Sequence, residues 1–442
     1  MFYQMPAKFV WGVATSAYQC EGATTMDGRG PSIWDVFCNQ PGVIKDGSSG
    51  ADASRSYKQW ADDVRLLKDL GVNAYRFSIA WPRVIPAGRG KVNAQGLDYY
   101  SRLVDALLEQ KIRPVVMLYH WDLPQALESR GGWQVRATAE AFSEYAAVTV
   151  KRLGDRVTDW MTVEELATCL GQGYGGRGLA PGLGLTGQPL AQVYHHALLA
   201  HGLGVSAIRA GCPGARIGLD MDSVTPVPVI EDAAHIAACG AAYERLNGYL
   251  MGPLFEGKYP PHLTALPDVQ SGDMKIISQP IDFLGLSIYS GLYFEPADNE
   301  VGFRQAEFPE HYPMVRDLEW FRFVPPSLYW AVRHAHTRYG FQSIYISENG
   351  YGTDCSRSAE SLCNDLDRIL AMRCYMREMH RAVTEGLPVH GYFNWSLLDD
   401  FEWSHGYTKS FGLYYHNHAT GERRPKRSFE WYKSVIQNNA IV

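Results

Sequence analysis

Tyr345-Ile346-Ser347-Glu348-Asn349-Gly350 decides how the chain is read. The run 342–347 is short, apolar and β-branched, and Asn-Gly follows it closely, the mark of a buried strand ending in a turn. Glu348 follows directly on that apolar run. Burying an ionised glutamate without partners is costly, so Glu348 belongs at an open strand end or among donors. A solvated loop glutamate is the plainer alternative, and the rest of the chain decides between them.

Outward from this stretch the pattern alternates. Strand-like runs at 9–15, 73–79, 113–119, 157–163, 215–222, 282–288, 342–347 and 389–395 take turns with helical spacings at 57–70, 99–110, 138–153, 189–210, 232–251, 326–339, 369–385 and 428–437. Gly71 is a natural stop for the first helix. Strands that alternate with helices imply a parallel sheet with right-handed crossovers. About eight such units without a strong linker favour an α/β fold of one kind, a single closed (β/α)8 TIM barrel spanning 1–442. The connections 29–53, 171–188, 295–323 and 395–418 are long for such loops and read as lids and walls of a pocket.

At 442 residues the alternative of two or three ordinary domains is open on length alone. Hydrophobic content of 46% against 20% charged supports a large core and excludes global disorder. A net charge of −6 favours neither nucleic acid nor an anionic membrane as partner. Trp (12) and Tyr (26) are plentiful, which suits flat, apolar-faced ligands such as sugars. The eight cysteines form no C-x-x-C pair and read as reduced thiols of a cytoplasmic protein. No apolar run approaches the length of a membrane span, and the N-terminus shows no signal-peptide pattern. Nothing in the sequence speaks to oligomeric state.

Two glutamates, Glu165 and Glu348, each follow a strand-like run. Facing each other at one end of a barrel, they could flank a glycosidic bond, a task that in retaining enzymes needs two carboxyls roughly 5–5.5 Å apart. Gly182-Leu183-Gly184-Leu185-Thr186-Gly187 matches G-x-G-x-x-G, but it is expected neither to follow a strand nor to open a helix, so it is set aside as a dinucleotide site. His195, His196 and His201 share a helix without zinc-like spacing and read as packing residues.

Over nearly its whole length the chain resembles glycoside hydrolase family 1, the β-glucosidase-like enzymes. The matching stretches are 9–23, 75–86, 119–124, 160–165, 344–352 and 391–413. The resemblance implies a (β/α)8 barrel, a retaining β-glycosidase activity on a small-molecule β-glycoside or oligosaccharide, and no metal or organic cofactor. It casts Glu348 as nucleophile, Glu165 as acid/base, and Arg76 and Tyr289 as the partners that keep the nucleophile ionised. Gln19, His120, Glu402 and Trp403 match ligands of sugar hydroxyls, and Trp395 matches the stacking floor. Trp121, Glu164 and Ser287 complete the expected substrate-binding set. Glu402 also argues against a 6-phosphorylated sugar, which its carboxylate would repel.

The chain departs from the family pattern at two places. The family usually writes T-x-N-E-P, where this chain has Thr162-Val163-Glu164-Glu165-Leu166, so Glu164 stands where an asparagine donates to the sugar 2-hydroxyl. Ser287 replaces a second asparagine on the sixth strand. An ionised Glu164 can accept but not donate, and it adds negative charge beside two acidic groups. An altered preference at sugar C2, with a 2-ammonium relieving the charge, is one expectation. A weak or non-catalytic sugar-binding paralogue is the other.

Overall fold

The structure, a computed structural model, describes residues 3–313, 318 and 320–442. Part of the expected 295–323 wall, residues 314–317 and 319, therefore lies outside the described residues. The eight strand-like runs become β1 (Val10–Thr15), β2 (Ala74–Ser78), β3 (Arg113–Tyr119), β4 (Asp159–Val163), β5 (Arg216–Met221), β6 (Phe283–Ser287), β7 (Ile344–Asn349) and β8 (Val389–Trp395). All pair in parallel, each with the next in sequence, and β8 closes on β1. Around them lie α1 (Ser56–Leu70), α2 (Ala94–Glu109), α3 (Arg136–Leu153), α4 (Gly187–Gly211), α5 (Ala233–Glu256), α6 (Pro326–Tyr339), α7 (Leu366–Thr384) and α8 (Arg427–Asn438). This is the (β/α)8 barrel that the alternation implied.

The strands are buried almost throughout, as parallel strands covered by helices must be. Each helix turns an apolar stripe inward. On α1 the stripe is Tyr57, Val64, Leu67 and Leu70, and Gly71 ends the helix at φ +84°, its N–H reaching the Leu67 carbonyl.

Three differences from the expected pattern have physical causes. First, α2 starts at Ala94 rather than Tyr99, because its first turn packs too closely for a periodic signal. A Cβ on Gly96 would lie 2.2 Å from the Arg83 carbonyl oxygen, so a side chain is excluded there. Second, 182–187 does lead into a helix, since α4 begins at Gly187. It still follows a helix, Leu166–Gly173, rather than a strand, and so lacks the βα setting of a dinucleotide site. Third, β7 runs on through Glu348 and Asn349 instead of stopping at Ser347. The Asn349 amide donates to the Ile288 carbonyl (2.5 Å) and its oxygen accepts from the Tyr392 hydroxyl (2.8 Å), so the polar pair Glu348-Asn349 stays in the sheet.

The histidines of α4 are packing residues. His195 bonds Tyr259 and Asp273, His196 bonds the Trp133 carbonyl, and His201 bonds Thr162. The eight cysteines are all unpaired thiols. Among the described residues no helix is long and apolar enough to cross a membrane.

Gly350 locks the end of β7 to the end of β8, since a Cβ there would sit 2.2 Å from the Trp395 carbonyl oxygen. Gly350→Ala is expected to destabilise the chain by about 1–3 kcal/mol, the usual cost of overpacking. Urea denaturation measures this, and Glu348 and Trp395 should be displaced together.

Candidate active site

The carboxyl ends of the strands surround a cavity of about 390 Å³. Ten of the residues expected in the site line it: Gln19, His120, Trp121, Glu165, Ser287, Tyr289, Glu348, Trp395, Glu402 and Trp403. Each comes from a strand end or the loop just beyond it, where barrel enzymes place chemistry. The other two, Arg76 and Glu164, do not line the cavity. They lie behind its wall, 1% and 0% exposed.

Arg76 projects from β2 into the barrel lumen. Its Nη1 donates to Glu348 Oε2 at 3.0 Å, and its Nη2 forms a close ion pair with Glu164. Asp220, on β5, stands 3.7 Å from the same Nη2. The Tyr289 hydroxyl donates to the other oxygen of Glu348 at 2.6 Å. Glu348 is thus gripped at both oxygens, by a cation on one side and a phenol on the other. Burial pushes its pKa up to about 6, against the pull of Arg76 and Tyr289.

Glu165 is set differently. It follows β4 in the left-handed backbone region, φ +43°, an uncommon place for a glutamate. Asp222 holds that turn: its carboxylate accepts the N–H groups of Ala167 (3.2 Å) and Thr168 (2.6 Å), at the first turn of the helix that begins right after Glu165. Burial holds the Glu165 carboxyl well above the usual range, and the negative charges of Glu348, Asp222, Glu164 and Asp220 act in the same direction.

Behind the wall the expected departures meet. The Ser287 hydroxyl donates to Asp220 at 2.8 Å and lies 3.5 Å from Glu164. Ser347 also hydrogen-bonds Asp220. Burial raises the pKa of both Glu164 and Asp220, with Arg76 opposing. Glu164, expected among the substrate-binding residues, has its carboxylate paired with Arg76 behind the cavity wall.

Aromatic rings form the floor. Trp121 and Trp403 stack at 4.6 Å, and His120 lies between Trp395 and Trp403 at 5.9 Å from each. Gln19 accepts from the Ser16 hydroxyl at 2.7 Å, and its Nε2 is left as an unspent buried donor. Burial lifts Glu402 to about 8. Of the four long loops, 171–188, 295–323 and 395–418 supply lining residues, among them Leu179, Trp320, Arg322 and Phe411. The loop 29–53 does not. Its Trp34 packs under Trp403 at 4.5 Å, supporting the floor from behind.

Asp220 and Asp222 were missed by sequence reasoning. The signal was present in Leu219-Asp220-Met221-Asp222, two acids on one face at the end of a barrel strand. His120, Glu164 and Glu348 each offer a ligand atom within 4.8 Å of the others, a set that could hold a small cation. Both carboxylates are already engaged by Arg76.

A closed barrel with acids and stacked rings at its strand ends suits the hydrolysis of carbohydrates. Residues 1–441 match the family described as Glycosyl hydrolase family 1, and the chain belongs to that family. It is 38% identical to Beta-glucosidase A of Thermotoga maritima over 450 residues, covering 99% of each. It is 39% identical to the bifunctional beta-D-glucosidase/beta-D-fucosidase of Bifidobacterium breve over 464 residues, covering 98% of each. The structure of the Thermotoga maritima β-glucosidase in complex with deoxynojirimycin has a TM-score of 0.90 and 36% identity, with 100% of both chains covered. The chain is accordingly a glycoside hydrolase acting on O-glycosidic bonds.

Tyr289→Phe removes a donor that favours the ionised Glu348. Its pKa should rise, so the carboxylate forms only at higher pH. One hydrogen bond to a charged group corresponds to about one pH unit. The acid limb of kcat/KM against pH reads the shift and should move upward by that amount.

Proposed function

We propose that the chain hydrolyses a terminal β-linked monosaccharide with retention of configuration, Glu348 acting as nucleophile and Glu165 as acid/base. The observation that carries this is the contrast between two carboxyls on one cavity. Glu348 is held between Arg76 and Tyr289, which favour its ionised form, while everything around Glu165 favours the proton.

In the first step a Glu348 oxygen bonds to the anomeric carbon as the bond to the leaving oxygen breaks. The Glu165 proton goes to that oxygen, and the aglycone departs. Glu165, now ionised, takes a proton from water, whose oxygen attacks the same carbon. The Glu348 ester bond breaks, and both carboxyls return to their starting states. Trp395 would support the sugar ring, with Gln19, His120, Glu402 and Trp403 receiving its hydroxyls. Trp320, 44% exposed, and Arg322 stand where the leaving group would lie. The relatives named β-glucosidases support a glucose-like sugar as the starting assumption.

A 2-fluoro β-glycoside with a good leaving group should add one sugar to the protein, with the label on Glu348 in peptide mass spectra. Glu348→Gln should lose at least about 10⁴-fold in kcat, the scale seen when a nucleophile is removed. Glu165→Ala should hydrolyse activated substrates slowly and be rescued by azide as a β-glycosyl azide. Label on another residue, or an α-glycosyl azide, would overturn the assignment.

A further inference from the structure

We propose that the corner of the cavity between Glu348 and His120 is an ammonium site, and that the sugar bound there carries a 2-amino group, as in a β-glucosaminide. This rests on the hydrolase reading above, since it places the anomeric carbon at Glu348.

The two oxygens of Glu348 face different surroundings. Oε1 faces Tyr289. Oε2 faces Arg76, with Glu164 and Asp220 beyond it. A sugar with its anomeric carbon over Glu348 has two ring neighbours to that carbon. One is the ring oxygen, which bears no substituent. The other is C2, which does, so the polar corner on the Arg76 side serves C2.

That corner carries more acid than base. Glu164, Asp220 and Glu348 surround a single guanidinium. His120 adds no charge, because burial and Arg76 hold its pKa well below the usual histidine value. A neutral imidazole keeps one bare nitrogen as an acceptor. His120 Nδ1 is buried without a hydrogen-bond partner and lies 4.0 Å from Glu164 Oε2, the oxygen that Arg76 holds.

Geometry supplies the second argument. Three ligand atoms, one each from His120, Glu164 and Glu348, lie within 4.8 Å of one another. His120 and Glu348 both line the cavity, so a group between them can reach both, with Glu164 adding its charge from behind the wall. An ammonium brings N–H donors for both and the positive charge that the acids behind the wall attract. A 2-hydroxyl has one proton for the two acceptors and no charge, and the Ser287 hydroxyl is already committed to Asp220.

The same lining addresses a problem of the chemistry. A positive group at C2 disfavours the oxocarbenium-like transition state next to it. A bound ammonium draws Glu164 towards its ionised form, and the carboxylate so formed offsets that repulsion.

The test compares nitrophenyl β-glucosaminide with β-glucoside on the wild type and on Glu164→Gln, across pH. The expected result is a wild-type kcat/KM at least about 10-fold higher for the glucosaminide, with the ratio falling as pH rises through the substrate's own ammonium pKa. Glu164→Gln should lower the ratio about 10- to 100-fold, the worth of one charge-assisted bond. In parallel, glucosamine should protect the wild type against thermal unfolding at lower concentration than glucose. That arm needs neither turnover nor a folded variant. A glucoside preference that Glu164→Gln leaves unchanged, a ratio flat in pH, or equal protection by the two sugars would overturn the ammonium site while leaving the hydrolase intact. Turnover lost to a chelator and restored by a divalent metal would overturn it in favour of a metal. Absence of turnover and of Glu348 labelling would count against the hydrolase reading instead, with the protection experiment still judging the ammonium site.

Discussion

The site depends on one guanidinium. Arg76 lies in the lumen with Glu348, Glu164 and Asp220 around it, all 6% exposed or less. Buried charges are tolerated only when paired and hydrogen-bonded. A planar fork suits this position, because its two outer nitrogens can serve Glu348 and Glu164 at once. An ammonium there would be a single point charge on one stem. The orientation of Glu348 towards the cavity, and the direction in which Glu164 turns, both follow from how that fork is shared.

Around this charge centre the site is assembled from elements that have little else to do with each other. Asp222 at the end of β5 caps the helix after β4 and so fixes the turn carrying Glu165. Trp34, from a loop that never reaches the cavity, props Trp403, which stacks on Trp121. Tyr375 on α7 donates to the Tyr289 carbonyl at 2.6 Å and thereby holds the residue that grips Glu348. Each contact restricts a side chain before any ligand arrives, which spares binding the cost of ordering it.

Much of this was legible in the sequence, for definite reasons. Buried parallel strands are short apolar runs, and the eight of them stood out because helical spacings separated them. Glu348 stood out because a charge directly after such a run is rare. Other features left weaker traces. The extension of β7 by two residues depends on Tyr392 and Ile288, partners 43 and 61 residues away, so no local pattern could show it. The start of α2 was hidden by the glycine its packing demands. Asp220 was readable in kind but not in role, since its meaning comes from Arg76, Ser287 and Ser347 on three other strands. Glu164 was noticed as a departure, yet its retreat behind the wall follows from sharing Arg76, which sequence spacing does not encode.

The acid excess also has a thermodynamic consequence that links stability to specificity. Glu348, Asp222 and Glu402 have pKa values raised to about 6, 7 and 8, while Glu164, Glu165 and Asp220 are raised as well. A carboxyl whose folded pKa is raised contributes stability at pH values below its unfolded pKa and loses that contribution as pH climbs through the folded one. For these groups the loss runs from the ordinary carboxylate range up through about pH 8. Near neutrality these groups therefore work against the fold, storing protons that the unfolded chain would release. A ligand can return part of that free energy if it brings the charge the cluster lacks. A ligand that favours the ionised forms would lower these pKa values and shift the pH range over which the stability is lost.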